Sequence, residues 1–380
     1  MISLIFLGDL RYCPYLTRYT ERLKAAGAEF EVLFWNRGGF QLELEPNYKY
    51  CPLTSPDTLP KAKKLVDFYG FRRWVKKQLK LSRPEGVVFL STLSAMVLND
   101  VAKEYKGRYI YDIRDYSYEH VGFYKKLETR MIEESYFTAI SSKGFRTFLP
   151  EHDYVIAHNF NRNDLSEDYT FVRREEPLQI VWNGMVRFFD YQQYYLDLFK
   201  NDPRFELVYH GSGSALETYQ KYCQDHDIQN VRFTGGYDNR DKAKLVRPGA
   251  FLNNCYGGRE GKGLLYAISN RYYDSMIYHI PQLVETGGFK AGEVERNGIG
   301  LAVEPEPGLP DRLYDYYNGL DPEQFNAACD KALQEVLAED DNYVAKIDAF
   351  IGLCEKKPKK AGQKSGVFTV SFSRKRGEKR

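Results

Sequence analysis

Short apolar runs alternate with longer amphipathic stretches along the first half of the chain. Five of the runs predict strands: 2–7, 30–35, 87–90, 109–113 and 137–140. The segments between them, such as 15–26 and 127–135, carry apolar residues at helical spacing. Strands separated by helix-length segments are typical of βαβ units, so this half predicts a parallel sheet covered by helices.

The same alternation resumes after a polar stretch at 158–177, which we interpret as a linker. Six further runs predict strands: 179–182, 205–209, 231–234, 250–253, 281–284 and 300–303. The pattern therefore predicts an α/β protein with two doubly wound, Rossmann-like domains, at 1–160 and 161–340. A closing helix at 341–355 and a basic, disordered tail at 356–380 are expected to follow. In such a pair of domains, ligands bind in the cleft that the two domains face.

Charge is distributed unevenly over the 380 residues. Residues 61–83 carry nine Lys or Arg against one acid, and residues 351–380 carry ten against two, so each segment is net +8. Since the whole chain is net +2, the remainder is net −14. Apolar residues also recur at intervals of three and four within 61–83: Leu65, Phe68, Phe71, Val75 and Leu79. An apolar stripe beside a cationic face favours a helix lying on an anionic membrane, and the alternative is a surface helix that packs its stripe on the sheet.

Several other partners and sites are not expected. No apolar run approaches the roughly 20 residues that span a bilayer, and the chain opens on a predicted strand instead of a basic leader. We therefore expect a cytoplasmic protein, peripheral on the inner face of the plasma membrane through 61–83 and 356–380. Neither basic segment carries a nucleic-acid-binding motif. The six cysteines form no CxxC motif and no metal-like pairing with histidines, so no metal site is predicted.

Glycine turns follow several predicted strands of the second half. Gly184, Gly211 and the pair Gly287 and Gly288 each come between a predicted strand and a predicted helix. Glycine lets the backbone approach a phosphate, and a helix N-terminus adds free N–H groups. Asp274 lies on a predicted helix just before the last of these turns, where a carboxylate can accept both hydroxyls of a ribose. The alternative readings are plain βα turns and a solvated helix residue.

Segment 270–276 reads Asn-Arg-Tyr-Tyr-Asp-Ser-Met, segment 280–284 reads Ile-Pro-Gln-Leu-Val, and Gly287 and Gly288 follow. In this order the motifs resemble the nucleotide-binding domain of GT-B glycosyltransferases, in particular the large retaining family four. Segment 270–276 resembles a helix that commonly reads Asn-Lys-Leu-Tyr-Glu-Tyr-Met in those enzymes. Segment 280–284, followed by Gly287 and Gly288, resembles their Gly-Lys-Pro strand and glycine-rich turn. In the first half, 111–115 resembles the strand-end motif that faces the cleft. The resemblance covers about residues 1–350 and implies the GT-B fold.

The resemblance also implies roles for individual residues. Asp274 stands where the family has the glutamate that binds the donor ribose, and Tyr237 is near the position that contacts the base. Arg187 stands near the family's diphosphate-binding arginine, while Arg114 and Asp115 lie about where relatives have a histidine and an acid close to the sugar. We take Arg114, Asp115 and Arg187 as the predicted catalytic residues. The remaining predicted donor contacts are Gly184, Gly211, Glu260, Lys262, Arg271, Gly287 and Gly288.

The chain departs from the family pattern at defined positions. The E-x7-E pattern would place its first glutamate at residue 266, which is Tyr266, and its second is shortened to Asp274. Arg114 stands in place of the expected histidine. Glu260, in a glycine-rich loop, is the candidate substitute for the missing glutamate.

The function that the resemblance implies is sugar transfer from a nucleotide-diphosphate-sugar to a hydroxyl of a lipid-linked or oligosaccharide acceptor. It implies retention and a role in cell-surface polysaccharide or glycolipid synthesis. No cofactor or metal is expected, because cationic side chains can stabilise the departing diphosphate. Two alternatives stay open: a GT-B sugar-nucleotide 2-epimerase, and a non-catalytic GT-B partner subunit.

Overall fold

A parallel sheet forms the centre of the first half of the chain. The computed structural model describes residues 1–39, 43–55, 61–257 and 262–355, the side chains of 61–65 and 262 excepted. Its first seven strands are β1 (Ile2–Phe6), β2 (Phe30–Trp35), β3 (Tyr48–Cys51), β4 (Gly86–Phe89), β5 (Tyr109–Ile113), β6 (Phe137–Ile140) and β7 (Val155–Ile156). Their spatial order is β3-β2-β1-β4-β5-β6-β7, and all pairs are parallel. The sheet winds outward from β1 in both directions, as the sequence predicted.

Helices cover both faces of this sheet. They are α1 (Leu16–Ala25), α2 (Lys61–Ser82), α3 (Thr92–Val97), α4 (Asn99–Glu104) and α5 (Gly122–Glu134). Alternate strand residues point to opposite faces, so Leu33 and Phe89 pack towards α2 to α5, whereas Phe34 and Val88 pack towards α1. Burial of both faces explains the near-continuous apolar runs in the sequence.

The apolar stripe of α2 packs on the sheet. Phe71, Val75 and Leu79 are buried, and the ring of Phe71 stacks on Trp35 with 5.5 Å between centroids. The expectation that this stripe lies on a membrane is therefore wrong, because it belongs to the core. The exposed face of α2 is instead formed by these residues: Val66, Tyr69, Arg73, Lys77, Lys80 and Leu81.

A second parallel sheet organises the second half. Its strands are β8 (Leu178–Asn183), β9 (Phe205–His210), β10 (Val231–Gly235), β11 (Phe251–Asn253), β12 (Gln282–Glu285) and β13 (Gly300–Val303), in the order β10-β9-β8-β11-β12-β13. Its helices are α6 (Phe189–Leu198), α7 (Leu216–Asp225), α8 (Lys242–Val246), α9 (Lys262–Tyr266), α10 (Asn270–Tyr278), α11 (Phe289–Asn297) and α12 (Leu309–Gly319). Four 3-10 helices complete the described secondary structure up to α12: Leu10–Tyr12, Lys143–Thr147, Arg162–Leu165 and Asn239–Asp241. The prediction of two doubly wound α/β domains is confirmed.

One long helix, α13 (Pro322–Glu355), connects the two halves. Phe325 and Cys329 pack in the core of the second half, whereas Tyr343 and Phe350 pack in the core of the first. The predicted closing helix at 341–355 is thus the end of a continuous helix. The predicted tail at 356–380 lies outside the described residues. None of the helices described here combines the length and the apolar character needed to cross a membrane.

Candidate functional site

A cavity of about 840 Å³ lies between the two sheets. The first half contributes Tyr15 and Asp115 to its wall, and the second contributes Trp182 and Asn183. Asp115 follows β5, and Asn183 is the last residue of β8, so both come from the carboxyl ends of parallel strands. The cavity therefore occupies the position at which doubly wound sheets bind ligands.

Asp274 lies in this cavity, on α10, with its side chain buried. Its Oδ2 accepts a hydrogen bond from Nδ2 of Asn183 at 2.9 Å, and its Oδ1 accepts one from Nζ of Lys242 at 2.7 Å. A carboxylate offers about four lone-pair sites, so about two remain for further donors. The predicted ribose carboxylate is thus held in place and can still accept a pair of hydroxyls.

Lys242 links two carboxylates beside the cavity. Its Nζ also lies 2.5 Å from Oδ2 of Asp164, in the 3-10 helix that follows β7. Burial alone would lower the pKa of Lys242, but the charges of Asp274 and Asp164 outweigh burial and raise that pKa. Lys242 therefore stays charged and positions the carboxylate of Asp274.

Two arginines flank the Gly184 turn. Arg271 is buried, its guanidinium centre lies 3.6 Å from the ring centroid of Trp182, and its Nε donates to the carbonyl of Asn183 at 2.7 Å. Arg187 follows Gly184 by three residues and is exposed in the cavity wall, with its guanidinium over the ring of Phe188. Burial lowers the pKa of Arg271, and the charge of Arg187 acts in the same direction. An anion bound near both guanidinium groups would favour their charged forms and offset these effects.

The two predicted turn glycines of this region differ in role. Gly184 has φ +108° and lines the cavity, and a Cβ there would lie 3.6 Å from Nη2 of Arg271. Gly211 has φ +146°, and a Cβ there would lie 1.8 Å from the carbonyl oxygen of Gly184. Gly211 does not line the cavity, and it serves by letting the Gly184 turn pack on it.

Arg114 and Asp115 are neighbours in sequence with different surroundings. Nη2 of Arg114 donates to Oδ2 of the buried Asp112 at 2.8 Å, Nη1 donates to the carbonyl of Ala157, and the guanidinium stacks over Tyr15. Asp115 is exposed in the cavity wall. Although Asp115 is open to the cavity, the protein around the cleft partly desolvates its carboxyl and raises the pKa of Asp115, and the charge of Arg114 opposes that rise. Arg114 is thus engaged in the wall, and Asp115 faces the ligand space.

The other predicted donor contacts have different outcomes. Gly287 and Gly288 do not line the cavity, and a Cβ on Gly288 would lie 3.5 Å from the carbonyl oxygen of Leu265 in α9. Glu260 lies outside the described residues, and the structure describes only the backbone of Lys262. Tyr237 does line the cavity, and burial, together with the charge of Asp274, raises its pKa.

Three residues of the site were not predicted. Asn183 and Trp182 end strand β8, and their place beside Gly184 was an available signal. Lys242 carried no such signal, because it is one of several basic residues between 240 and 247. Its selection depends on contacts with Asp164 and Asp274, which are far from it in sequence.

Comparison with known proteins supports the fold. No family model matches the chain, and no curated protein matches it in sequence. Sucrose-phosphate synthase from Thermosynechococcus elongatus superposes with a TM-score of 0.62 at 13% identity, over 93% of this chain and 96% of that chain. HepE from Anabaena, solved with UDP, gives 0.63 at 12% identity, over 92% and 99%. A glycosyltransferase from Rickettsia africae gives 0.62 at 10% identity, over 94% and 99%. The chain has the GT-B fold that the resemblance implied.

Proposed function

We propose that this protein is a glycosyltransferase that moves a sugar from a nucleoside-diphosphate-sugar to a hydroxyl acceptor. One observation carries the proposal: a fixed carboxylate, Asp274, and two arginines, Arg187 and Arg271, flank the Gly184 turn in the cleft. A ribose fits the carboxylate, and a diphosphate fits the arginines. HepE, which has the same fold, was solved with UDP and with UDP-glucose, in support of a donor of this class.

The arginines would perform the main electrostatic work of the reaction. Negative charge develops on the diphosphate as the bond from the sugar carbon to the phosphate oxygen breaks and the bond to the acceptor oxygen forms. Preorganised cations at the departing group stabilise that charge in a site from which water is excluded. We propose retention from the resemblance, with the acceptor proton passing to the departing phosphate, and neither step calls for a metal. The anomeric configuration of the product, read by NMR, tests retention.

Sugar recognition would fall to residues other than the family's first glutamate. Tyr266 packs near Tyr116 and Phe148, with ring centroids 6.1 and 5.2 Å away, and its carbonyl accepts from the hydroxyl of Ser142. Asp115 is the exposed carboxylate on the opposite wall. We assign to it the hydroxyls of the sugar or of the incoming acceptor.

A panel of nucleotides tests the proposal. Thermal unfolding would be measured with UDP, GDP, ADP, dTDP, CMP and NAD, and turnover of the matching nucleotide-sugar would follow with and without acceptor. A selective rise in melting temperature and donor consumption that needs acceptor or water are the expected results. Isomerisation of the donor alone would indicate an epimerase, and binding without either reaction would indicate a non-catalytic subunit.

The epimerase alternative would need a histidine free for proton transfer in the cleft. His158 lines the cleft, but its Nε2 lies 2.8 Å from Oε2 of Glu339 and its Nδ1 lies 3.0 Å from the hydroxyl of Tyr273. Both ring nitrogens are thus engaged with helices α13 and α10. Transfer is therefore the function that we favour.

We also propose that the protein works at the cytoplasmic face of an anionic membrane, held by the exposed face of α2. Arg73, Lys77 and Lys80 project from that face, and each basic residue near an anionic surface contributes about 1 kcal/mol. Replacing these three by Gln should weaken binding to phosphatidylglycerol vesicles about 100-fold. A matched control replaces three exposed basic residues of the second half: Lys221, Arg240 and Lys244. Equal losses in both variants would contradict the assignment to α2.

A further inference from the structure

The segment between β5 and the first turn of α5 exposes three large apolar side chains. Tyr118, Val121 and Phe123 are 52%, 44% and 80% exposed, and Phe123 is the most exposed large apolar side chain among the described residues. The ring of Tyr118 lies edgewise on Tyr124 at 5.7 Å, so the segment is ordered by its own packing. We call residues 118–123 the aromatic tip. Single exposed apolar side chains are common, but apolar side chains that cluster on the surface mark interaction sites.

The exposed lysine and carboxylate charges of residues 116–132 are of one sign. Both acids between Tyr116 and Ile132 are buried, namely Glu119 and Glu128. Glu119 accepts from the backbone N–H of Ser117 at 2.6 Å, and Glu128 accepts from the hydroxyl of Tyr111 at 3.2 Å. Lys125 and Lys126 are exposed. The tip therefore presents apolar side chains next to two lysines, and the two carboxyl groups of this segment, those of Glu119 and Glu128, are turned inward.

Helix stability does not explain the apolar residues at this point. Val121 occupies the N-cap of α5 without a side-chain hydrogen bond to the helix, and Gly122 is the first helical residue. Ser, Thr, Asp or Asn would cap the helix better, and glycine weakens a helix. Residues that break a local rule in this way are expected where function requires them.

The aromatic tip follows closely, along the chain, a residue of the cleft wall. Asp115, three residues before Tyr118, lines the cavity. Helix α5 also belongs to the same layer as α2, since Met131 of α5 and Val75 of α2 pack in one core on the same face of the sheet. Both helices follow strands of a parallel sheet, so both begin at the edge of the sheet that borders the cleft.

We propose that the aromatic tip inserts into the interfacial layer of an anionic bilayer and brings the cleft to a lipid-linked acceptor. Aromatic and apolar side chains next to lysines fit the interface between headgroups and acyl chains. The nature of the acceptor rests on the proposed function, whereas insertion of the tip does not. A second copy of this chain is a poorer occupant, because a two-fold contact would bring the lysines of both copies together.

Vesicle binding of the full chain tests insertion. Vesicles of equal parts phosphatidylcholine and phosphatidylglycerol would be titrated against the protein, its Phe123→Ser variant and a matched control. Tyr194→Ser is the control for Tyr118→Ser, because Tyr194 lies on α6 and is also 52% exposed. We expect Phe123→Ser to weaken binding about tenfold or more, Tyr118→Ser to weaken it less, and Tyr194→Ser to leave it unchanged. Nucleoside diphosphate binding should be the same in all variants.

A fluorescent variant separates insertion from surface attraction. Phe123→Trp should shift its emission to the blue on these vesicles and be quenched by brominated acyl chains. Unchanged emission, or full vesicle affinity in Phe123→Ser, would overturn the proposal. A dimer in sedimentation equilibrium that Phe123→Ser dissociates would overturn it in favour of a second copy. If the wild-type protein binds no nucleoside diphosphate, that result would instead count against the proposed function.

Discussion

Replacing Asp274 by alanine should abolish discrimination between ribose and 2′-deoxyribose. In the wild-type protein the carboxylate is fixed by Asn183 and Lys242 and has about two acceptor sites left for ribose hydroxyls. A hydrogen bond to a charged group contributes about 1.5–3 kcal/mol, so two of them contribute at least about 3 kcal/mol. Asp274→Ala should therefore weaken binding of the preferred nucleoside diphosphate by about 100-fold or more.

The same substitution also disturbs folding, and a second variant separates the two effects. Lys242 keeps its contact with Asp164 at 2.5 Å when Asp274 is removed. Asp164→Ala is the matched control, because it removes the other carboxylate from the same ammonium group. We expect both variants to lose about 1–3 kcal/mol in free energy of unfolding. Only Asp274→Ala should lose nucleotide affinity.

Calorimetric titration with paired ribo- and 2′-deoxyribonucleoside diphosphates is the assay. The wild-type protein and Asp164→Ala should prefer the ribonucleotide, and Asp274→Ala should bind both equally weakly. If Asp274→Ala keeps the wild-type preference, the carboxylate does not contact the ribose, and the reasoning is refuted whatever happens to stability.

Three further perturbations follow from the same contacts. Arg187→Ala should lower turnover about 100-fold with little change in unfolding free energy, and full activity would remove it from the diphosphate site. Burial raises the pKa of Glu128 from 4.5 to about 8, so between these values the folded chain holds a proton that the unfolded chain releases. Stability should therefore fall by about 1.4 kcal/mol per pH unit, and Glu128→Gln should flatten that slope in urea unfolding between about pH 5 and about pH 8. If the unfolding free energy of Glu128→Gln has the same pH slope as that of the wild-type protein, the assignment of this slope to Glu128 is refuted. Gly211→Ala should destabilise the chain by about 2 kcal/mol or more, since its Cβ would meet the carbonyl of Gly184, and a lower cost would contradict the packing role.

The fold was predictable where the periodicity of apolar residues is strong, and less so where tertiary contacts determine the structure. The strands of both sheet centres were predicted because they are buried on both faces. Strand β3 was not, since it lies at the sheet edge and is half exposed, and β7 has only two residues. The continuity of α13 was hidden by Asp340 in its middle. That carboxylate is buried because Arg162 donates to it at 2.7 Å, from 178 residues away.

The turn glycines of the second half were likewise predictable only in part. Gly184 and Gly211 look alike in sequence, since both follow a strand and precede a helix. Their roles differ because β8 and β9 are neighbours in the sheet, which packs one turn on the other. Likewise, Gly287 and Gly288 do not line the cavity, Gly288 packs beside α9, and no local pattern predicts that contact. Side chains that end strands were predictable, and the packing that selects among them was not.

The cleft wall formed by the first half shows where local backbone geometry could have improved the prediction. Successive residues of an extended chain point to opposite sides, and residues two apart share a side. Asp112 and Arg114 are two apart, and they form a buried ion pair on one side of β5 and its extension. Asp115 must then point to the opposite side, and of these two residues, which both border the cleft, Asp115 is the exposed one. Since Arg114 is held by Asp112 and stacks on Tyr15, its loss should damage the wall itself, and we propose Asp115 as the residue that contacts the substrate on this side of the cleft.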